Sequence, residues 1–189
     1  MNSTHYMILV TSPPACGKTT LAKKLAKNLD NAVYLDKDTL IPLSKKVFEV
    51  ANEEYNRSSA FFETHIRDVE YDVILALGLE AIEYDSHVII NAPFSREIRN
   101  PEAMSELSLR VQQRGGELLI IWIACSAETA HKRMLERNSD RDTWKLAHWD
   151  EYLKTTNFNA PNLPNLLIYK NDNDDEAEES FQSLIEQIQ

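Results

Sequence analysis

The tripeptide Gly17-Lys18-Thr19 stands between an unbroken apolar run over 6–11 and a segment, 18–29, in which Leu21, Ala22, Leu25, Ala26 and Leu29 fall at helical spacing. An apolar run without alternation reads as a strand buried on both faces. The following segment reads as an amphipathic helix, with Lys23, Lys24 and Lys27 on its outer face. A strand that turns sharply through a glycine into a helix needs a second parallel strand to cover it, so the chain is directed toward alternating β and α elements.

The rest of the sequence follows that alternation. Residues 32–35 form a second short strand, ended by Asp36-Lys37-Asp38. Residues 39–85 read as wholly helical, with Phe62, Ile66, Val69, Val73 and Leu77 as one core stripe. His87–Asn91 is a third strand, stopped by Pro93. A helix over 101–114 ends at Arg114-Gly115-Gly116, where glycine permits the left-handed turn. Residues 118–124 are a fourth strand, and Ser126 opens a helix over 127–138. Leu166–Lys170 is the last strand, and 176–188 the closing helix. Short apolar strands between helices predict a three-layer α/β fold with a parallel sheet covered on both faces. No repeat, linker or composition break divides the 189 residues, so 1–189 reads as a single domain.

Charge and composition narrow the function. The net charge is −10, but six acids crowd into 171–179, and without them 24 acidic residues face 20 basic ones. Acids there suit the first turn of a helix. No extended basic surface for nucleic acid is left. No apolar run approaches the roughly 18 residues of a membrane span. The first ten residues lack the basic start of a signal peptide. Cys16 and Cys125 are too few for a disulfide framework and have no metal-ligand spacing. A cytoplasmic location is the simplest expectation.

The turn itself approaches the phosphate-loop pattern of glycine, four variable residues, Gly-Lys and then Ser or Thr. Gly17-Lys18-Thr19 is intact, and Ser12 replaces the first glycine, followed by Pro13 and Pro14. Backbone N–H groups of Pro14, Ala15, Cys16, Gly17, Lys18 and Thr19 (proline lacking one) lie where a helix N-terminus meets an anion. Lys18 is placed to bridge the β- and γ-phosphates of ATP, Thr19 to hold magnesium, and Thr20 to touch the α-phosphate. Cys16 is either a small loop residue or a reactive thiol.

On these residues the chain resembles the P-loop kinases of small molecules and nucleotides. That superfamily includes nucleoside monophosphate kinases, gluconate and shikimate kinases, chloramphenicol phosphotransferase, the zeta toxins and the kinase domain of polynucleotide kinase. The resemblance runs from Tyr6 to the last helix. It implies five parallel strands in the order 2-3-1-4-5, a helical acceptor-binding insertion over about 39–85 and a lid over about 133–150.

The resemblance also assigns roles. Asp38 matches the position of the general base that accepts the acceptor's proton, and Asp36 is placed to organise magnesium; ordinary helix capping is the alternative for both. Arg133, Arg137 and Arg141 correspond to arginines that clamp phosphates, with Arg137 reaching the γ-phosphate. Their alternative is a surface face paired with Glu136 and Asp140. Arg96 either contacts substrate or pairs with Glu97 or Asp68. Asn91 stands where many P-loop proteins carry an acidic magnesium residue. Polar groups of the insertion, such as His65, either line a pocket or are structural.

Together these imply an ATP- and Mg2+-dependent phosphotransferase acting on a hydroxyl of a small molecule. The chain is expected to be a monomer or homodimer with no membrane partner. The alternatives are a 5′-hydroxyl kinase of polynucleotides, which the charge balance disfavours, and a nucleotide-dependent switch or ATPase working with a protein partner.

Overall fold

The computed structural model describes residues 5–139 and 142–189. Its centre is the strand β1 (His5–Thr11), whose Met7 and Leu9 face one side and Ile8 and Val10 the other, all fully buried. A strand apolar on both faces belongs in the middle of a parallel sheet. β1 sits between β3 (His87–Asn91) and β4 (Gly116–Ala124), with β2 (Ala32–Asp36) outside β3 and β5 (Leu166–Lys170) outside β4. All four pairings are parallel, and the order β2-β3-β1-β4-β5 is the one the resemblance implied.

Helices connect the strands: α1 (Lys18–Asn28), α2 (Ile41–Ala51), α3 (Ala60–His65), α4 (Arg67–Ala81), α5 (Pro101–Gln112), α6 (Ala127–Arg137), α7 (Thr143–Ala147), α8 (Trp149–Thr155) and α9 (Asp174–Ile188). Tyr71 and Ile74 of α4 and Met104 and Leu107 of α5 pack on Met7, Leu9 and Ile90. On the opposite face, Leu21 and Leu25 of α1 and Phe181 and Leu184 of α9 pack on Ile8, Val10 and Ile121. The acidic run opens α9 as expected: Asn173 accepts from the Glu176 N–H, and Asp174, Asp175 and Glu176 fill the first turn. Among the described residues no helix is long and apolar enough to cross a membrane.

The segment 39–85 differs from one continuous run of helix. α2 stops at Asn52, which adopts φ 56, a left-handed cap that asparagine tolerates. The loop after it carries Arg57 back to Glu70, and Ser59 caps α3 by accepting from the Phe62 N–H. Ile66, at φ −124, interrupts the helix again before α4.

That second break rotates the expected stripe out of the core. Phe62 and Ile66 are buried with Phe48, but Val69 is 57% exposed and Leu77 45%. α4 instead turns Glu70, Tyr71, Ile74 and Gly78 inward. Gly78 lies so close to the sheet that a Cβ would stand 2.7 Å from Cδ1 of Ile90. Glu70, 3% exposed, is accepted into this interior by four donor contacts, from Lys37 Nζ, Ser44 Oγ and both terminal nitrogens of Arg57.

Candidate active site

The phosphate loop begins where β1 ends, at the carboxyl edge of the sheet, where parallel α/β folds place their ligand crevice. Thr11 Oγ1 donates to the Pro93 carbonyl and so joins this end of β1 to the loop after β3. Ser12 is buried, its hydroxyl donating to Pro13 O at 2.8 Å. Its φ is not positive, so this position does not need the glycine of the pattern. The left-handed conformations fall instead on Ala15 (φ 63) and Gly17 (φ 97).

Gly17 is the N-cap of α1, which has no side-chain cap and no acid in its first turn. Those N–H groups therefore present a positive end to any anion seated in the loop. Pro14, Ala15 and Lys18 are half-buried along the loop, and Thr19 and Thr20 are exposed at the start of α1. Lys18 Nζ donates to the carbonyls of Ser12 and Pro13, both at 3.0 Å, and lies 3.3 Å from Ser12 Oγ. The ammonium thus folds over the loop that a phosphate would fill.

The last strand supports the loop from behind. Asn171 directly follows β5, and its Nδ2 donates to Cys16 O at 2.7 Å. A Cβ on Gly17 would stand 2.5 Å from that Nδ2. Gly17→Ala therefore meets both an unfavourable φ and a clash, and should lose about 1–3 kcal/mol of stability. Denaturant unfolding checks the loss, and nucleotide titration should show weakened affinity in the same variant. Asn171 was not singled out from sequence; its only signal was a polar residue just past the carboxyl end of a parallel strand.

Beside the loop, Asn91 at the end of β3 joins the β1 and β2 sides. Its Nδ2 lies 3.0 Å from Thr19 Oγ1 and 3.0 Å from Asp36 Oδ2, with Tyr34 OH at 3.3 Å. Tyr34 donates to Asp36 Oδ2 at 2.6 Å, and Asp36 Oδ1 accepts from the Asp38 N–H. Burial, and then the Asp36 carboxylate, push the Tyr34 hydroxyl up, so it stays protonated. Both Asp36 oxygens are engaged, as an N-cap residue's are. Asp38 is exposed, and its carboxylate takes no hydrogen bond among the described residues.

Thr19 and Asp36 present oxygens of the kind a hard divalent cation takes. Asn91 Oδ1 is buried with no hydrogen-bond partner, while Nδ2 is the atom that faces Thr19 and Asp36. Among the described residues no group of three or more His, Cys, Asp or Glu could hold a metal. The set therefore fits magnesium, which keeps several waters and asks few protein ligands, better than a tightly caged ion.

The arginines sit on the other side. Arg133 and Arg137 are one turn apart on α6, and Arg133 Nη1 donates to Cys125 Sγ at 3.6 Å. Arg137 grips the fully buried Asp142 through Nε and Nη2, the latter at 2.8 Å, and Lys145 joins them at 3.1 Å. Asp142 is thus the carboxylate paired with Arg137, while Glu136 pairs with Lys132. Arg141 lies outside the described residues. Arg96 is exposed and pairs with Glu63, whereas Glu97 and Asp68 both pair with Arg67. His65 packs its ring on Phe61 at 5.0 Å and also lines the groove between α2 and α4.

Cys16 and Cys125 are both buried free thiols, Cys16 Sγ donating to Pro14 O at 3.6 Å and Cys125 Sγ to Ser126 O at 3.5 Å. The Cys125 hydrogen bond holds the Cys16 thiol below its usual range, against burial and helped by Lys18. The same bond pushes Cys125 up.

A model of the AAA domain family matches residues 7–158. No curated protein matches the sequence. Among solved structures, a provisionally named kinase from Chloroflexus aurantiacus J-10-fl superposes with a TM-score of 0.67 at 19% identity, over 100% of both chains. A gluconokinase from Sinorhizobium meliloti 1021 gives 0.58 at 12% identity, over 100% of this chain and 97% of that one. A shikimate kinase from Bacteroides thetaiotaomicron gives 0.55 at 18%, over 97% and 98%. The fold is that of the P-loop kinases.

Proposed function

From the premise that the chain belongs to the AAA domain family, we propose that it is an ATP-dependent phosphotransferase, moving the γ-phosphate of ATP to a hydroxyl of a small-molecule acceptor. The observation that carries this reading is the hydrogen-bonded line Thr19–Asn91–Asp36, which joins the uncapped start of α1 to the carboxylates at the end of β2. On this reading the donor site and the acceptor-side base share one edge of the sheet.

In this reading the N–H groups of the loop bind the phosphates, and Lys18 exchanges its carbonyl contacts for phosphate oxygens. Thr19 and Asp36, positioned by the Asn91 Nδ2 donor, would hold magnesium, which when bound would supply positive charge to the phosphates. Asp38 accepts the proton of the acceptor hydroxyl and aims its oxygen for in-line attack. Arg133, Arg137 and Arg141 serve as the lid's cations. Arg137 reaches the γ-phosphate by opening its pair with Asp142. Arg96 serves the acceptor side by exchanging its surface pair with Glu63. The gluconokinase and shikimate kinase neighbours act, by their names, on small hydroxylated molecules, which supports an acceptor of that kind.

A transfer screen with γ-labelled ATP against sugars, nucleosides, hydroxy acids and antibiotics tests this. The expected result is label on one acceptor class, lost in Lys18→Met. Hydrolysis without transfer to any member, with tight nucleotide binding, would sink the phosphotransferase reading in favour of a nucleotide-driven switch.

A further inference from the structure

We propose that the outer face of α2 and α4 is the interface of a two-fold symmetric homodimer. Along α2, Leu43, Val47 and Val50 recur at intervals of four and three residues. Along α4, Val69, Val73 and Ala76 do the same, extended by Leu77. All seven side chains are exposed. This spacing is the seam of a helix bundle, and two neighbouring helices that both display it form half of a four-helix bundle. A contiguous apolar surface of this kind on a chain otherwise rich in charge marks a contact site.

Between the two helices runs an apolar groove with a cavity of about 80 Å³, walled by Leu43, Val47, Val69 and Val73. Ser44 and Glu70 reach its floor, but both Glu70 oxygens are taken by Lys37, Arg57 and Ser44. The floor therefore keeps no carboxylate oxygen to orient a polar small molecule; His65 is the further polar group of the lining, and the aliphatic walls suit interdigitating aliphatic side chains.

Charge selects a second copy as the occupant and sets its orientation. Lys46 and Asp72 hold equivalent places on the two helices, each one residue before the middle apolar position, Val47 or Val73. Asp72 has no ion-pair partner among the described residues, and Lys46 has only the exposed Glu49. Laying α2 of one copy on α4 of the other brings Lys46 against Asp72 twice, as an isologous interface requires. Laying like helix on like would set Lys46 on Lys46 and Asp72 on Asp72, which disfavours that alternative.

Sedimentation equilibrium of the full chain tests the proposal. The wild type should dimerise, and Val73→Glu, which changes an exposed position, should raise the dimer dissociation constant at least about 100-fold with an unchanged circular dichroism spectrum. Lys46→Glu should weaken the dimer, and the charge swap Lys46→Glu with Asp72→Lys should restore it. A wild type that stays monomeric at every loading concentration overturns the proposal. So does a dimer indifferent to Val73→Glu, or a charge swap no tighter than Lys46→Glu alone.

Discussion

Asp38→Asn should lower phosphoryl transfer by about 10²–10⁴-fold, the usual contribution of a positioned general base. Nucleotide affinity should barely change. The expectation rests on how the two carboxylates after β2 are employed. Asp36 already accepts from Tyr34, from Asn91 and from the Asp38 N–H, and in the proposed site it also faces magnesium, so it is the poorer proton acceptor of the two. Asp38 is exposed and its carboxylate accepts nothing among the described residues, leaving it able to take a proton. Asp36→Asn should behave differently, raising the magnesium and nucleotide concentrations needed for half-maximal rate, because Thr19 loses its link through Asn91. Steady-state rates with varied nucleotide and varied acceptor separate the two. If Asp36→Asn destroys turnover while Asp38→Asn is active, the assignments are reversed.

Glu70→Ala should destabilise the fold by about 3–5 kcal/mol, the range for breaking one partner out of a buried charge cluster. The substitution strands Lys37, itself 4% exposed, and releases from α4 the loop that carries Arg57 between α2 and α3. Burial alone would raise the Glu70 carboxyl, but hydrogen bonds from Arg57, Lys37 and Ser44 outweigh it and bring it down to about 2, from 4.5. A carboxyl with a depressed folded value contributes stability that is fully present above its unfolded pKa and is lost as pH falls through the folded one. The contribution should therefore be complete above pH 4.5 and disappear between 4.5 and 2. By linkage this amounts to about 3 kcal/mol. Urea unfolding across that window should show a steeper fall for the wild type than for Glu70→Gln. Equal slopes would mean that the cluster does not hold Glu70 ionised.

Much of the sheet was legible because its signals are local. Val88, Ile89 and Ile90 with Pro93 close behind define β3, and Leu166–Lys170 coincides with β5. Gly17-Lys18-Thr19 marked the loop because strand and helix patterns flank it within a few residues. The insertion was misread where periodicity was ambiguous. Val69, Val73 and Leu77 are as regular a stripe as Tyr71, Ile74 and Gly78, and no local rule favours the stripe containing a glycine beside Glu70. Arg57, Ser44 and Lys37, thirteen, twenty-six and thirty-three residues away, make that acid tolerable inside. α7 and α8 were likewise not anticipated, since they are short and each lacks a side-chain cap. At the site, residue types pointed to Lys18, Thr19 and the two aspartates. The Asn91–Thr19 and Asn171–Cys16 bonds span 72 and 155 positions and leave no trace in spacing.

The Asn171 contact has a consequence for the order in which the molecule matures. The proposed phosphate loop precedes its support along the chain, since the amide that holds Cys16 O lies 155 residues further on. β1 also waits for both neighbours, since β3 and β4 are encoded well downstream and parallel pairing brings no early local contact. A nascent chain stalled before β5 should therefore bind nucleotide poorly even with its whole phosphate loop exposed. Affinity for nucleotide would thus report that β5 has docked, and bound nucleotide would stabilise molecules with β5 in place in preference to those without it.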